Sequence, residues 1–268
     1  MIAELYKRRM KGSLVLSIII GVTAIAVGIL APPLSGEDWF SLSSISALSL
    51  FMLGASAASR RKYHQLLKLD IPESEESLIH LDHLVIKQDS GLLPKLMLFL
   101  KSGASVGYVK AVSVPFWAYP LSIFIRNGVT FLPLTFAMYS SRGEQKFRLK
   151  RKGIRQSIVT VEDHNGEVLG TYVQNDFKSL MTMKGKIYDR DNKLLLPVLI
   201  KGASGDFTLR DEEGRQWAHF YNGYFPHEYT KIFSDIDNDI VDINNQLENE
   251  EKHLLIAVIC FLFLQRRK

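Results

Sequence analysis

Two long uncharged apolar runs dominate the first sixty residues of the chain. Residues 13–31 and residues 39–58 contain no charged side chain, and a short polar connector, residues 32–38, separates them. A helix needs about 20 residues to cross the hydrocarbon core of a bilayer, so each run is long enough. The two prolines that open the connector stop a helix there. The pattern therefore predicts a transmembrane hairpin of two antiparallel helices within residues 1–62.

The charges that flank the two runs predict how this hairpin lies in a membrane. The connector carries only Glu37 and Asp38, whereas basic residues precede the first run and follow the second. Positive residues stay on the cytoplasmic side of a membrane protein. We therefore expect a cell-membrane protein with two spans and both termini in the cytoplasm. A cleaved signal peptide is the alternative for the first run, but a second span follows it directly. The basic residues are Lys7, Arg8, Arg9 and Lys11, then Arg60, Arg61 and Lys62.

Later in the chain, strand-like runs alternate with short polar tips. Three tips share a frame, residues 163–166, 189–192 and 211–214, each of which begins with Asp and ends with Gly or Asn. Asp at the start of a turn bonds to its own backbone, and Gly or Asn accepts a positive φ at its end. Successive hairpins of this kind form an antiparallel sheet, which must close or be covered to protect its edges. We assign residues 63–91 to a linker or helical connector and residues 92–268 to a β-barrel domain.

Residues 112–139 are apolar enough to raise the alternative of a third span. The segment contains Pro115, Pro120 and Pro133, and an Arg-Asn-Gly turn signal at residues 126–128. Proline breaks helices, while the β-branched and aromatic residues around the turn favour strands. We interpret the segment as buried strands or as a surface that faces the membrane.

The C-terminal segment predicts a helix for the interior of the barrel. Residues 254–264 form an uninterrupted apolar run, which is too short to cross a bilayer comfortably and has the length of a buried core helix. A helix that is apolar on all sides is surrounded on all sides. We therefore expect a central helix at residues 253–264. A tail anchor is the alternative, but it would place the basic C-terminus outside.

These features together resemble the tubby-like superfamily, which includes tubby C-terminal domains, LURP-one-related proteins and phospholipid scramblases. The acidic segment FSDIDND at residues 233–239 precedes an apolar run that contains Cys260-Phe261-Leu262, and the hairpin IVTVEDHNGEVLGTYV looks like the family's early strand pair. The resemblance covers about residues 92–264. It implies a mainly β protein, with a twelve-stranded antiparallel barrel closed around a central hydrophobic helix, and a role at phospholipid membranes.

Composition and charge narrow the classes of function. With 47% hydrophobic and 23% charged residues, the chain is not disordered, and its single cysteine excludes an internal disulfide. Basic residues crowd one predicted strand, and cations near an anionic leaflet are attracted to it. We predict that they bind anionic phospholipid; a solvated strand face is the alternative, and we expect no nucleic acid. The predicted lipid-binding residues are Lys146, Arg148, Lys150, Arg151 and Lys152.

The acidic segment offers a candidate cation site. Asp235, Asp237 and Asp239 alternate with other residues, and closely spaced carboxylates suit a hard cation such as Ca²⁺. An EF-hand is excluded because its sixth and twelfth positions would be Ile240 and Gln246. A looser Ca²⁺ site of the scramblase kind and a solvated acidic loop remain as interpretations.

Sequence motifs for catalysis are absent. The chain has no Gly-rich phosphate loop, no GxSxG elbow and no HExxH pair. We therefore expect a non-enzymatic, membrane-anchored module that binds anionic phospholipid or a membrane-protein partner at the cytoplasmic leaflet. The alternatives are a cation-dependent phospholipid scramblase and a structural subunit of a membrane complex.

Overall fold

The structure, a computed structural model, consists of two compact units, Met1–Asp70 and Ile71–Lys268. It describes residues 2–68, 71–74, 77–89, 93–116, 118, 130, 132–153, 156–175, 182–201, 206–223 and 238–265. The first unit is helical, and the second is a β-barrel with a helix inside it. Each unit is described by itself below.

The first unit is a hairpin of two long helices, α1 (Ile2–Leu30) and α2 (Gly36–Leu67). Both are long and apolar enough to cross a membrane. Each helix extends beyond the predicted run, so the flanking basic residues are helical as well. At the connector, the Ser35 hydroxyl accepts a hydrogen bond from the Asp38 amide, and the Asp38 carboxylate accepts one from the Ser35 amide. This capping box fixes the point at which α2 begins.

Small polar residues hold α1 and α2 together. The Ser17 hydroxyl donates to the Ser49 carbonyl at 2.9 Å, and the Ser49 hydroxyl donates to the Ser17 carbonyl at 2.9 Å. The Ser56 hydroxyl donates to the Met10 carbonyl at 2.9 Å. Small side chains let helix backbones approach closely, and hydrogen bonds between helices replace the missing water in an apolar medium. The serines of α2 therefore contribute to the close packing of the two helices.

The second unit contains a twelve-stranded antiparallel sheet that curls into a nearly closed barrel. The hydrogen-bonded order is β10-β11-β12-β1-β2-β3-β4-β5-β6-β7-β8-β9, and β9 and β10 lie side by side at the seam. The predicted fold class is confirmed: the protein is mainly β, with an apolar helical hairpin before the barrel and a helix after it. The strands are β1 (His83–Asp89), β2 (Lys95–Phe99), β3 (Ser105–Ser113), β4 (Thr135–Ser140), β5 (Gln145–Lys152), β6 (Gln156–Asp163), β7 (Val168–Asn175), β8 (Thr182–Asp189), β9 (Leu194–Lys201), β10 (Asp206–Arg210), β11 (Gln216–Gly223) and β12 (Asn238–Ile243).

One predicted boundary differs from the structure. The connector predicted at residues 63–91 contains the end of α2, a short 3-10 helix at Leu78–His80 and the whole of β1. The barrel therefore begins before residue 92, because β1 pairs with β12 from the far end of the chain. Within residues 112–139, the described ends are strand, since β3 ends at Ser113 and β4 begins at Thr135. Residues 119–129 lie outside the described residues.

The barrel has two different ends. At one end, which we call the turn end, short tips join β2 to β3, β4 to β5, β6 to β7, β8 to β9 and β10 to β11. At the other, which we call the loop end, the connections join β1 to β2, β3 to β4, β5 to β6, β7 to β8, β9 to β10 and β11 to β12. The longest of these, residues 114–134 and 224–237, are both at the loop end.

The Asp-led tips at the turn end form as their sequences predict. The carboxylate of Asp163 accepts the amides of Asn165 and Glu167 at 2.8 and 2.9 Å, and Asp189 does the same two and four residues on. Gly166 has a φ of 90° and Asn192 a φ of 61°. Both values lie in the left-handed region that glycine and asparagine accept with least strain.

The tip that Asp211 opens also connects the barrel wall to the interior. The Asp211 carboxylate accepts the indole N–H of buried Trp217 at 2.9 Å and the Nε–H of Arg215 at 3.0 Å. Arg215 in turn donates to Glu251, at the start of the C-terminal helix, at 3.2 Å. Burial by itself raises the pKa of Asp211, but the hydrogen bonds from Trp217 and Arg215 outweigh it and hold the pKa below the ordinary value of 3.8.

We expect Asp211→Ala to lower the free energy of unfolding by about 1–3 kcal/mol, because Trp217 loses the acceptor of a buried donor. The lowered pKa adds a pH dependence: the stabilisation by Asp211 is complete above pH 3.8 and is lost as the pH falls through the lower folded value. Urea denaturation of the full chain at pH 7 and pH 3 measures both effects. Asp191→Ala, at the exposed centre of a neighbouring tip, is the control. Equal stability of Asp211→Ala and wild type at pH 7 would contradict the role of this carboxylate.

The helix α3 (Asn249–Gln265) fills the barrel. All side chains from Leu254 to Leu264 are buried, as is Gln265. Phe261 packs edge-on against Phe136 of β4 and Tyr172 of β7, with ring centroids 6.5 and 6.2 Å away. The helix begins at the turn end, where Arg215 meets Glu251, and runs toward the loop end. The buried central helix predicted for residues 253–264 is therefore present and begins one turn earlier.

Candidate functional site

Strand β5 places the predicted lipid-binding residues on both faces of the barrel wall. Lys146 and Arg148 are exposed and Lys150 is half-buried, while Phe147 and Leu149 between them are buried in the core. Lys152 at the end of the strand is exposed as well. Side chains alternate between the faces of a strand, so Lys146, Arg148 and Lys150 share the outer face.

The structure corrects the prediction that Arg151 belongs with the lipid-binding residues. Its side chain is only 2% exposed and lies on the inner face with Phe147 and Leu149. Its guanidinium donates to the backbone carbonyl of Thr130. Arg151 is therefore not part of the outer basic surface, because strand alternation takes it to the opposite side from Lys150.

Neighbouring strands add two lysines that the sequence did not assign to the site. Arg148 on β5 lies opposite Ala137 on β4, Ala137 lies opposite Lys110 on β3, and Lys110 lies opposite Lys95 on β2. The small side chain of Ala137 thus stands between cations in one row across four strands. We call this surface the basic wall and define it by Lys95, Lys110, Lys146, Arg148 and Lys150.

Two tyrosines form a platform within the basic wall. Tyr108 on β3 and Tyr139 on β4 are paired across the strands, with ring centroids 5.4 Å apart and an angle of 22° between the rings. The Lys95 ammonium lies 4.7 Å from the centroid of Tyr108, and the Lys110 ammonium lies 5.0 Å from that of Tyr139. In such cation–π contacts the face of the ring attracts the lysine ammonium and so favours its position over the ring. The alternation of Tyr108 with Lys110 along β3 is the sequence signal for these residues on one face. Only the pairing of β3 with β4, and of β4 with β5, brings that face next to the cations of β5.

Two carboxylates accompany the basic wall. Glu144 lies 2.8 Å from the Lys146 ammonium, and Glu162 lies 2.6 Å from that of Lys150. The hydrogen bond and charge of Lys146 hold the pKa of Glu144 below its ordinary value, so Glu144 is ionised at neutral pH. Five cations against two carboxylates leave a net positive surface. Exposed ion pairs are worth little, so an anionic ligand can replace Glu144 at small cost, whereas Glu162 is only 8% exposed.

The acidic segment is described only in part. Asp235 and Asp237 lie outside the described residues, whereas Asp239 belongs to strand β12 and is 2% exposed. Asp239 therefore lies on a strand inside the barrel wall and not on a solvated loop. Among the described residues, no group of three or more His, Cys, Asp or Glu side chains could hold a metal ion.

The basic wall is thus a net positive outer surface, with cations on β2, β3 and β5 and an aromatic platform on β3 and β4. Comparison with known proteins finds no matching family model, curated protein or solved structure. The wall and the apolar hairpin are the two features of the described chain from which a function can be argued.

Proposed function

We propose that the chain is a non-enzymatic membrane protein whose barrel binds anionic phospholipid headgroups through the basic wall. The observation that carries the proposal is the row of Lys95, Lys110 and Arg148 across β2 to β5, with Lys146 and Lys150 beside it. Phosphate oxygens accept hydrogen bonds from both lysine and arginine. The exposed position of Lys110 and Arg148 leaves their charged groups accessible to a flat lipid surface.

The proposed location is the cytoplasmic leaflet of the cell membrane. Two helices long and apolar enough to span a bilayer support it, as do the basic residues at the hairpin's open end. By the charge rule both termini lie in the cytoplasm. The barrel would then face anionic lipids, near which each cation is worth about 1 kcal/mol. Five such cations outweigh the opposing effect of Glu144 and Glu162.

We further propose that the barrel is a tubby-like domain. The proposal is supported by a twelve-stranded antiparallel barrel around a buried C-terminal helix, which is the architecture that the sequence resemblance implies. Cation-dependent scrambling, with Ca²⁺ at Asp235, Asp237 and Asp239, stays a prediction. Calcium-dependent lipid flip in vesicles that contain the full chain would separate scrambling from simple lipid binding.

The test is a flotation assay. The full chain in nanodiscs of neutral phosphatidylcholine is mixed with vesicles that contain phosphatidylserine, and the fraction that floats with the vesicles is measured. We expect binding to anionic vesicles, no binding to neutral ones, and weaker binding at higher salt, because screening acts on exposed charges. The triple variant Lys110→Glu, Arg148→Glu, Lys150→Glu should lose at least about tenfold in affinity, since tenfold corresponds to about 1.4 kcal/mol.

The matched control carries the same change of charge on another part of the barrel. Lys184→Glu, Lys186→Glu, Lys193→Glu alters three exposed lysines on β8 and the tip that follows it. We expect this variant to keep most of its affinity. Equal losses in both triple variants would show that net charge alone drives binding, and the basic wall would not be a site. Absence of binding by the wild type would favour a barrel that binds a membrane protein.

A further inference from the structure

Exposed apolar side chains of the barrel are concentrated toward its loop end. In the part of the barrel that the structure describes, five large apolar side chains are exposed. Four of them lie in the loop-end half, whereas Val168 directly follows a tip at the turn end. Of the four, Leu199 is on β9, and the other three lie on β3, on β6 and in the connection after β3. We call these three the apolar rim: Val112, Phe116 and Ile158, which are 49%, 86% and 43% exposed.

Phe116 is held outside the barrel by the residues on either side of it. The Ala118 amide donates a hydrogen bond to the Pro115 carbonyl at 2.9 Å, which closes a tight turn around Phe116. Before the turn, Val114 packs against the hydrophobic core, and after it Ala118 is fully buried. Both ends of the turn are therefore fixed in the barrel. The fold thus presents the aromatic ring to its surroundings at a defined position.

The apolar rim adjoins the basic wall. Val112 follows Lys110 by two residues on β3, and both side chains are exposed. Ile158 on β6 lies opposite Lys152 on β5, which is also exposed. Lys152 in turn follows Lys150 of the basic wall by two residues on the same strand. Apolar side chains and cations therefore alternate along the outer surface of β3 to β6 at the loop end.

The charge of the barrel differs between its two ends. Residues 102–143 and 145–161 contain no Asp or Glu, and they include the whole of β3, β4 and β5 and most of β6. The five tips at the turn end carry eight carboxylates against five Lys or Arg side chains (residues 100–104, 141–144, 163–167, 189–193 and 211–215). An anionic surface attracts the cationic part of a protein and repels the acidic part. It therefore turns the loop end of β3 to β6, with the apolar rim, toward itself.

We propose that the apolar rim enters the headgroup region of an anionic bilayer while the neighbouring cations contact the phosphates. This inference rests on the proposed function and deepens it, because it names the part of the barrel that enters the lipid. Membrane-surface binding grows with the apolar area that leaves water and with the attraction of cations to anionic lipids. The occupant is a lipid surface, because the cationic margin of the rim contains no carboxylate and so matches a partner of uniform negative charge.

The first test is the flotation assay with the full chain and vesicles that contain phosphatidylserine. Phe116→Ser should lower the affinity for these vesicles at least about tenfold, because a phenylalanine ring that leaves water contributes more than this factor. The loss should persist at higher salt, since salt screens charges and does not weaken apolar burial. Phe116 is exposed, so the substitution should leave the Tm unchanged. An affinity equal to that of wild type would overturn the proposal.

A matched pair of strand residues tests where the barrel touches the vesicle. Ile158 at the loop end and Val168 at the turn end are β-branched and equally exposed, at 43% and 44%. Ile158→Thr should weaken binding by about threefold, because it removes apolar area that enters the lipid. Val168→Thr should leave the affinity unchanged. Equal losses in both variants would mean that exposed apolar area anywhere on the barrel contributes, and the apolar rim would not be a site.

A fluorophore that responds to its environment tests whether position 116 enters the bilayer. The native Cys260 is buried, so Phe116→Cys and Val168→Cys each provide one accessible thiol for nitrobenzoxadiazole. With anionic vesicles, the label at position 116 should shift its emission to shorter wavelengths and be quenched by nitroxide-labelled acyl chains. The label at position 168 should do neither.

The outcomes separate this proposal from the proposed function. Vesicle binding by the wild type together with an unshifted label at position 116 would overturn only the insertion of the apolar rim. The rim would then be a surface for a protein partner, with lipid bound by the basic wall alone. Absence of vesicle binding by the wild type would overturn both proposals.

Discussion

Phe261→Ala is expected to lower the free energy of unfolding of the barrel by about 3–5 kcal/mol, the usual cost of removing a buried phenylalanine. The ring is fully buried and packs against Phe136 on β4 and Tyr172 on β7. Its removal takes away the contacts by which α3 connects two parts of the wall, and it leaves a cavity that a nearly closed barrel cannot collapse to fill.

Urea denaturation of the full chain in micelles, followed by near-ultraviolet circular dichroism, measures this loss. Val168→Ala is the control, because Val168 lies on a strand but is 44% exposed, and we expect it to cost less than about 1 kcal/mol. A loss below about 1 kcal/mol for Phe261→Ala would mean that the barrel is stable without close packing around α3. The central helix would then not be the core of this fold.

Cys260 is expected to resist thiol reagents as long as the barrel is folded. It is the only cysteine of the chain and is fully buried on α3. Burial raises the pKa of its thiol to about 12. The thiolate is the reactive form, and at pH 8 the raised pKa alone reduces its population by a factor on the order of 10³ relative to a free cysteine. Labelling of the native protein must therefore pass through opening of the barrel.

The labelling rate of Cys260 with a maleimide reagent, with and without urea, tests this expectation. Because labelling through rapid opening follows the population of the open form, Phe261→Ala should accelerate it by about 10²-fold to 4 × 10³-fold, the factor that corresponds to about 3–5 kcal/mol. Val168→Ala should leave the rate nearly unchanged. Rapid labelling of the native wild type would place Cys260 at an accessible position and contradict the buried helix.

Features that depend on neighbours in the chain could be predicted from the sequence. The two apolar runs, the Asp-led tips and the apolar C-terminal helix each involve residues within one or two turns of structure, where hydropathy and turn chemistry act directly. The structure confirms the helical hairpin, the tips at Asp163, Asp189 and Asp211, and the central helix. The alternation along β5 also placed Lys146, Arg148 and Lys150 on one face. Carried one residue further, it would have placed Arg151 with Phe147 and Leu149.

Only the tertiary structure decided which distant residues meet. Strand β1 was assigned to the connector because its partner, β12, is more than a hundred residues away in the chain. Lys95 and Lys110 join Arg148 through the pairing of β2 to β5, and Phe261 meets Phe136 and Tyr172 because α3 runs inside the closed barrel. Strand register and barrel closure depend on the packing of the whole sheet around one helix. The sequence by itself therefore determined the elements and their chemistry, while the closed fold determined the sites that they form.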